Sequence, residues 1–337
     1  MHIPIPAFLR NAMDHSASIN GEPFDPAQVP MLPPKGRYTT VHYGIMIPNL
    51  PEPFRFLNMI TVLGQPEIKM WRNDHLIKTT ARDTANLLVG TGVATPDHFA
   101  GYSIEKDCEI RPDASLLRFG EDLTIAGTYP NFTAKRSNKP FSYDLTLRAT
   151  DKIAHFADLI GGLYDHWALL CEYEGVIEFQ QQKIPVKGLC TFEYARGVDV
   201  NLPFRFFTYQ ILNIDEKTQV LFVDLLGPAN SILQRRAYIR SLDDHGAIYD
   251  RHISFDVQKL DDEIKVTPEG VRMKMPKRFS WLVKDDAGQE VITIDGVANG
   301  DFCYGMAAGY AGSYQYTGRF KGKNIQGTGY IEYMDHR

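Results

Sequence analysis

The sequence predicts an all-β chain: two antiparallel β-barrels in tandem, with a few short helices. Three observations lead there. Short apolar or alternating runs recur between turn residues, units that alternate strand with helix are missing, and three segments of the first half recur in order in the second. At 337 residues the chain exceeds the usual span of one domain, about 100–200 residues, so two cores are expected.

Residues 1–36 carry repeated prolines and end in Met31-Leu32-Pro33-Pro34-Lys35-Gly36, which reads as an irregular arm laid over the first barrel. Strands are then read at residues 41–47, 54–63, 141–147, 220–226, 291–294 and 328–333. The best helical spacing is at residues 151–164, where Ile153, Phe156, Ile160 and Leu163 fall near one face. In the repeat, Pro53-Phe54-Arg55-Phe56 recurs as Pro203-Phe204-Arg205-Phe206, 150 residues later. Lys139-Pro140-Phe141-Ser142-Tyr143 is echoed by Lys277-Arg278-Phe279-Ser280-Trp281, and the segment 188–194 by 327–333, at offsets of 138 and 139. The change in offset places extra loop in the first copy, between Met70 and Gly101. The expected halves are residues 37–198 and 199–337, each the size of a lipocalin-like up-and-down barrel that encloses one small ligand.

Composition narrows the function classes. The net charge is −5, with Lys and Arg scattered, so nucleic acid is not an expected partner. The four cysteines, Cys108, Cys171, Cys190 and Cys303, form no CxxC pair and no metal-like spacing, and read as free thiols in a reducing compartment. The N-terminus lacks the pattern of a signal peptide and no segment reaches ~18 apolar residues, so a cytoplasmic protein without an integral membrane segment is expected, with a homodimer left open. No GxSxG, P-loop, GxGxxG or HExxH motif occurs, and neither cofactor nor metal is expected.

The run from Tyr173-Glu174-Gly175 to Phe179, a turn at residues 180–183, then Ile184-Pro185-Val186-Lys187-Gly188 and Glu193-Tyr194 resembles a hairpin of the AttH-like and carotenoid hydratase-like tandem lipocalin proteins. The resemblance extends loosely over residues 37–337. It departs at the Trp-x-Asp-His-x-Trp-Gly signature of that family, where this chain has Cys190-Thr191-Phe192-Glu193-Tyr194-Ala195-Arg196; an Asp165-His166-Trp167 triplet stands about 25 residues earlier. Members of the family include hydratases, cyclases and lipid carriers, so the resemblance implies a hydrophobic substrate and leaves the chemistry open.

Several residues offer acid/base chemistry. Glu193 and Glu332 stand at matching places in the repeat; a carboxyl in an apolar barrel has a raised pKa and can donate a proton near neutrality. The alternative is a structural Glu bonded to a neighbouring strand, or to Arg55 or Arg205. His42 lies on the first barrel strand, and Asp165 can orient His166. His252 and Asp256 share one strand face and could form a dyad. Tyr43, Trp167, Tyr194, Phe56 and Tyr304 are the expected lining aromatics. The leading expectation is a cofactor-independent enzyme that hydrates, isomerises or cyclises a small terpenoid, polyketide or lipid-like molecule, with Glu193 or His166 as proton donor. The alternative is a non-catalytic carrier of such a molecule, and a weaker one a purely structural protein with filled barrels.

Overall fold

The computed structural model describes residues 3–4, 12–65, 72–95, 98–199, 203–305 and 309–337. Two large sheets account for most of them. The first holds β2 (Thr40–Ile47), β3 (Leu57–Leu63), β4 (Thr84–Thr91), β5 (Phe99–Ser103), β6 (Cys108–Ile110), β7 (Leu116–Phe119), β8 (Leu123–Thr128), β9 (Asn131–Arg136), β10 (Phe141–Asp158), β11 (Tyr164–Phe179) and β12 (Gln182–Gly197). Their order is β5-β4-β3-β2-β12-β11-β10-β9-β8-β7-β6, antiparallel throughout.

The second sheet holds β13 (Phe206–Asn213), β14 (Thr218–Leu226), β15 (Ser231–Ser241), β16 (Ala247–Tyr249), β17 (Ile253–Val266), β18 (Arg272–Lys284), β19 (Glu290–Ala298), β20 (Cys303–Tyr304), β21 (Tyr310–Phe320) and β22 (Lys323–Asp335). Its main path is β15-β14-β13-β22-β21-β19-β18-β17, and a two-residue strand, β1 (Ile3–Pro4), runs parallel to β15 at its edge. Each sheet curls around its own apolar cluster, and the fold is the expected tandem of lipocalin-like antiparallel barrels.

A third cluster joins them. Met46, Phe56, Ile60, Val62, Leu88 and Phe156 of the first barrel pack against Tyr209, Ile211, Leu221, Val223, Tyr238 and Tyr330 of the second. This explains two kinds of strand sequence. β9 and the start of β10 alternate buried with exposed because one face meets water. All seven residues of β3 are buried, because Leu57, Met59 and Leu63 enter the barrel core while Ile60 and Val62 enter the joint between barrels. β14 divides in the same way, Val220 and Phe222 inward, Leu221 and Val223 to the joint.

Three expectations need correction. Residues 151–164 are not a helix: β10 runs to Asp158, and a 3-10 turn (Ile160–Gly162) precedes β11. Pairing slips between Ala149 and Ile153 and again between His155 and Ala157. These bulges insert residues into the two-residue alternation, and the apolar spacing then imitates a helical one. The Pro-Phe-Arg-Phe match is also not an equivalence. Phe54 lies in the connection from β2 to β3, inside the first barrel against Phe141 and Phe179, whereas Phe204 precedes β13 and packs on Met334. Phe141 and Phe279 differ too, since β10 borders β11 directly whereas β19 stands between β18 and β21.

The third match does occupy corresponding places. Gly188 faces Tyr173 and Glu193 faces Ala168 across β12 and β11, while Gly327 faces Tyr316 and Glu332 faces Ala311 across β22 and β21. The hairpin turn is tighter than residues 180–183: it is Gln180-Gln181, both at positive φ, as a two-residue turn between twisted strands requires. The chain before β2 caps the first barrel, with Phe24 against Trp167 and Tyr129, and the Tyr194 hydroxyl donating to the Leu32 carbonyl at 3.1 Å. Part of the segment 70–101 lies outside the described residues.

Candidate functional site

β2, β12 and β11 lie side by side at the centre of the first sheet, and their register builds the site. His42, Ala195 and His166 form one cross-strand row, and Gly44, Glu193 and Ala168 the row two residues along, on the face turned to the second barrel. Two imidazoles thus flank Glu193 diagonally, within the reach of long side chains. The small residues make room for them. A Cβ on Gly44 would stand 3.0 Å from His42 Nε2 and 3.1 Å from Met46 Cε, so His42 reaches Glu193 only across a glycine.

The His166 Nε2 lies 3.4 Å from Glu193 Oε2 and the His42 Nε2 3.8 Å from the same oxygen. From the other barrel, on β13, the Tyr209 hydroxyl donates to Glu193 Oε1 at 2.6 Å. Phe156 packs edge-on against both His166 and Tyr209 and fixes their orientation. Glu332, on β22 directly opposite Tyr209, accepts from the Tyr330 hydroxyl at 2.7 Å.

All of these except Gly44, Tyr330 and Ala168 line a cavity of about 360 Å³ between the barrels, within the range of small-molecule sites. The rest of the wall is largely apolar, including Ile60, Val62, Phe204, Phe207, Leu225 and Met334. The arginines at its edge are neutralised: Arg235 holds Asp224 through two bonds of 2.9 and 2.7 Å, Arg196 holds Asp165 at 2.7 Å, and Arg236 faces Asp14 at 3.6 Å.

The two carboxyls titrate in opposite directions. Burial alone would raise Glu193, but the nearby His166, bonded at 3.4 Å, and His42 outweigh it and hold the group at about 2. Burial pushes Glu332 up, the nearby Glu193 adds to this, the Tyr330 hydroxyl opposes it, and the group settles at about 8. Burial also lowers His42, and His166 lowers it further, against the pull of Glu193. Burial, then the Glu193 charge, keeps Tyr209 a phenol. At neutral pH one cavity wall therefore carries a carboxylate and the other a carboxylic acid.

The expected site residues divide along the strand alternation. Glu193, His166 and His42 meet at the cavity; Asp165 does not line it, and bonds Arg196 instead of orienting His166. Tyr43, Trp167 and Tyr194 follow the three catalytic candidates by one position each, so they point the opposite way, into the core of the first barrel, and do not line the site. Phe56 is packed in the joint against Tyr330, and Tyr304 bonds Asn73 and Glu269, both away from the cavity wall. Arg55 lies beside Glu52 and Asp301, not beside a Glu-Tyr pair. His252 and Asp256 are exposed. Of the two carboxyls, Glu193 is ionised near neutrality whereas Glu332 holds its proton. Tyr209, Tyr330 and Phe156 were not foreseen.

One prediction follows from the glycine. Gly44→Ala is expected to displace the His42 ring by a few tenths of an ångström and cost about 1 kcal/mol of stability; histidine NMR shifts and denaturation midpoints check it.

The family model described as "Family of unknown function (DUF6670)" matches residues 60–337. The chain belongs to DUF6670. No curated protein matches this DUF6670 chain. Solved structures do, at the level of fold. The AttH-assigned protein of Nitrosomonas europaea aligns with a TM-score of 0.63 at 12% identity, over 94% of this chain and 98% of its own. Kievitone hydratase from Nectria haematococca aligns with a TM-score of 0.56 at 12% identity, over 94% and 96%. The DUF6670 chain thus shares the AttH-like tandem lipocalin fold. None of its described helices is long and apolar enough to cross a membrane.

Proposed function

We propose that this chain is an enzyme that moves protons on a small hydrophobic substrate held between the barrels, with Glu332 as donor and the Glu193 cluster as acceptor. The observation that carries the reading is the opposed titration of two carboxyls on facing walls of one apolar cavity. Environments that drive two acids apart in this way assign one as general acid and the other as base. In a hydration, the Glu332 proton goes to one alkene carbon. A water adds to the other and gives its proton to the Glu193 cluster; solvent exchange then resets both groups. An isomerisation or cyclisation uses the same pair without the water. That a kievitone hydratase is built on this fold supports the reading at that level only.

The test begins with mass spectrometry of hydrophobic molecules that co-purify with the chain, followed by turnover of those molecules and their relatives. Glu193→Gln and His166→Ala are expected to lower kcat by about 10²–10⁴-fold while the ligand still binds. Unchanged product formation in both variants would reject Glu193 and His166 as the catalytic groups, and binding without any product from the wild-type chain would leave a carrier.

A further inference from the structure

We propose that His42, His166 and Glu193 form a binding site for one divalent transition-metal ion, open on its remaining side to the inter-barrel cavity. The inference goes beyond the proton-transfer reading and stands on ligand geometry; with an ion bound, its coordinated water, not the Glu193 carboxylate, takes the acceptor's place. The three donor atoms lie within 4.8 Å of one another. The two nitrogens stand 3.4 and 3.8 Å from the same carboxylate oxygen. A charge-assisted hydrogen bond would close to about 2.7–2.9 Å. Two ligands each bonded at about 2.0–2.2 Å to a tetrahedral centre stand roughly 3.3–3.6 Å apart. The His166–Glu193 spacing falls in that range, the His42–Glu193 spacing lies just beyond it, and both exceed a closed hydrogen bond.

A second observation points the same way. His42 Nε2 is buried and has no hydrogen-bond partner, though it faces the Glu193 carboxylate. In its Nε2-unprotonated tautomer His42 offers a metal ligand on the same side as the carboxylate oxygen, with no direct bond between them to be broken. The supports are also in place. Tyr209 takes Oε1 of Glu193 and leaves Oε2 to the cluster, as a partner behind a metal ligand does. Three adjacent strands fix the three ligands, and Gly44, Ala168 and Ala195 keep bulk away from the space they enclose.

Two imidazoles and one carboxylate suit zinc, iron(II), cobalt(II) or nickel(II), not calcium or magnesium, which take oxygen ligands. An ion with an open position polarises a carbonyl or lowers the pKa of a bound water. It would serve the same cavity into which Glu332 presents its proton.

The test is a Co²⁺ titration of the full chain after chelator treatment. A visible d–d absorption saturating at one equivalent, displaced by Zn²⁺, is expected. In the folded wild-type chain Co²⁺ should shift the imidazole NMR signals of two histidines, a readout that needs no variant. His166→Ala, His42→Ala and Glu193→Gln should abolish the band, and Tyr209→Phe should weaken affinity about 10–100-fold. No saturable band, or equal affinity in the three ligand variants, overturns the site. Glu332→Gln separates the two readings, because it should stop turnover yet keep the Co²⁺ band. If it stops turnover in a chain that binds no Co²⁺, only the metal site fails; if it binds Co²⁺ and turns over normally, only the proton-transfer reading does.

Discussion

Glu332→Gln is expected to lower kcat by about 10²–10⁴-fold while leaving the fold and ligand affinity intact. Glutamine keeps the shape of the side chain and can still bond Tyr330, but it carries no proton to give. The same assignment fixes a pH profile. Glu332 acts in its protonated form, so the rate should halve near pH 8 and fall about tenfold for each further unit. The groups that face it are Tyr330 on its own strand, Tyr209 on β13, Cys303 on β20 and Glu193 across the cavity. Removing the Glu193 charge should therefore move this limb to lower pH, and Tyr330→Phe to higher pH.

The sign of the stability change follows from linkage. The folded-state pKa, about 8, exceeds the ordinary 4.5, so the native chain holds more protons than the unfolded one between those values. The Glu332 contribution is complete below about pH 4.5 and is lost as pH rises towards 8. A wild-type chain should gain stability relative to Glu332→Gln on acidification through that window. Denaturation midpoints at pH 5 and 8 check this, and a rate independent of pH up to 9.5 would sink the assignment.

How much of this could be read from residues alone is decided by the strand period. His42, His166 and Glu193 each precede an aromatic, and alternation sends the two members of each pair to opposite faces. It does not say which member of each pair faces the ligand. In a single-barrel picture the aromatic or the acid could equally point inward; the answer came from the second barrel, which packs on the outer face and turns the outside of β2, β11 and β12 into a site wall. Tyr209 was invisible for the same reason, because nothing in residues 206–213 announces contact with a strand of the other half. The mostly apolar β3, broken only by Asn58 and Thr61, and residues 220–223 of β14 carry the signal of burial on both faces, and so of a joint between barrels. The false helix at residues 151–164 shows the limit of periodicity, since two bulges are enough to counterfeit it.

Trp167→Ala separates the two pictures of the site most sharply. In the structure the indole is 1% exposed, packed between Phe24 at 5.1 Å and Tyr194 at 5.3 Å inside the first barrel. Deleting so large a buried ring removes its transfer energy and leaves a cavity that β-strands on every side cannot collapse around. The expected cost is about 3–5 kcal/mol. It should appear as a lower denaturation midpoint for the β10–β12 region, with protection of β18 and its Trp281 less affected, because the barrels have separate cores. The milder Trp167→Phe should keep the fold and bind the cavity ligand with unchanged Kd, since the ring faces away from His166 and the cavity. Had the indole lined the ligand, as its place in the Asp-His-Trp triplet suggests, the same variant would weaken binding with little loss of stability. A weakened Kd with an unshifted midpoint would therefore place the ligand inside the first barrel and empty the inter-barrel cavity of its proposed role.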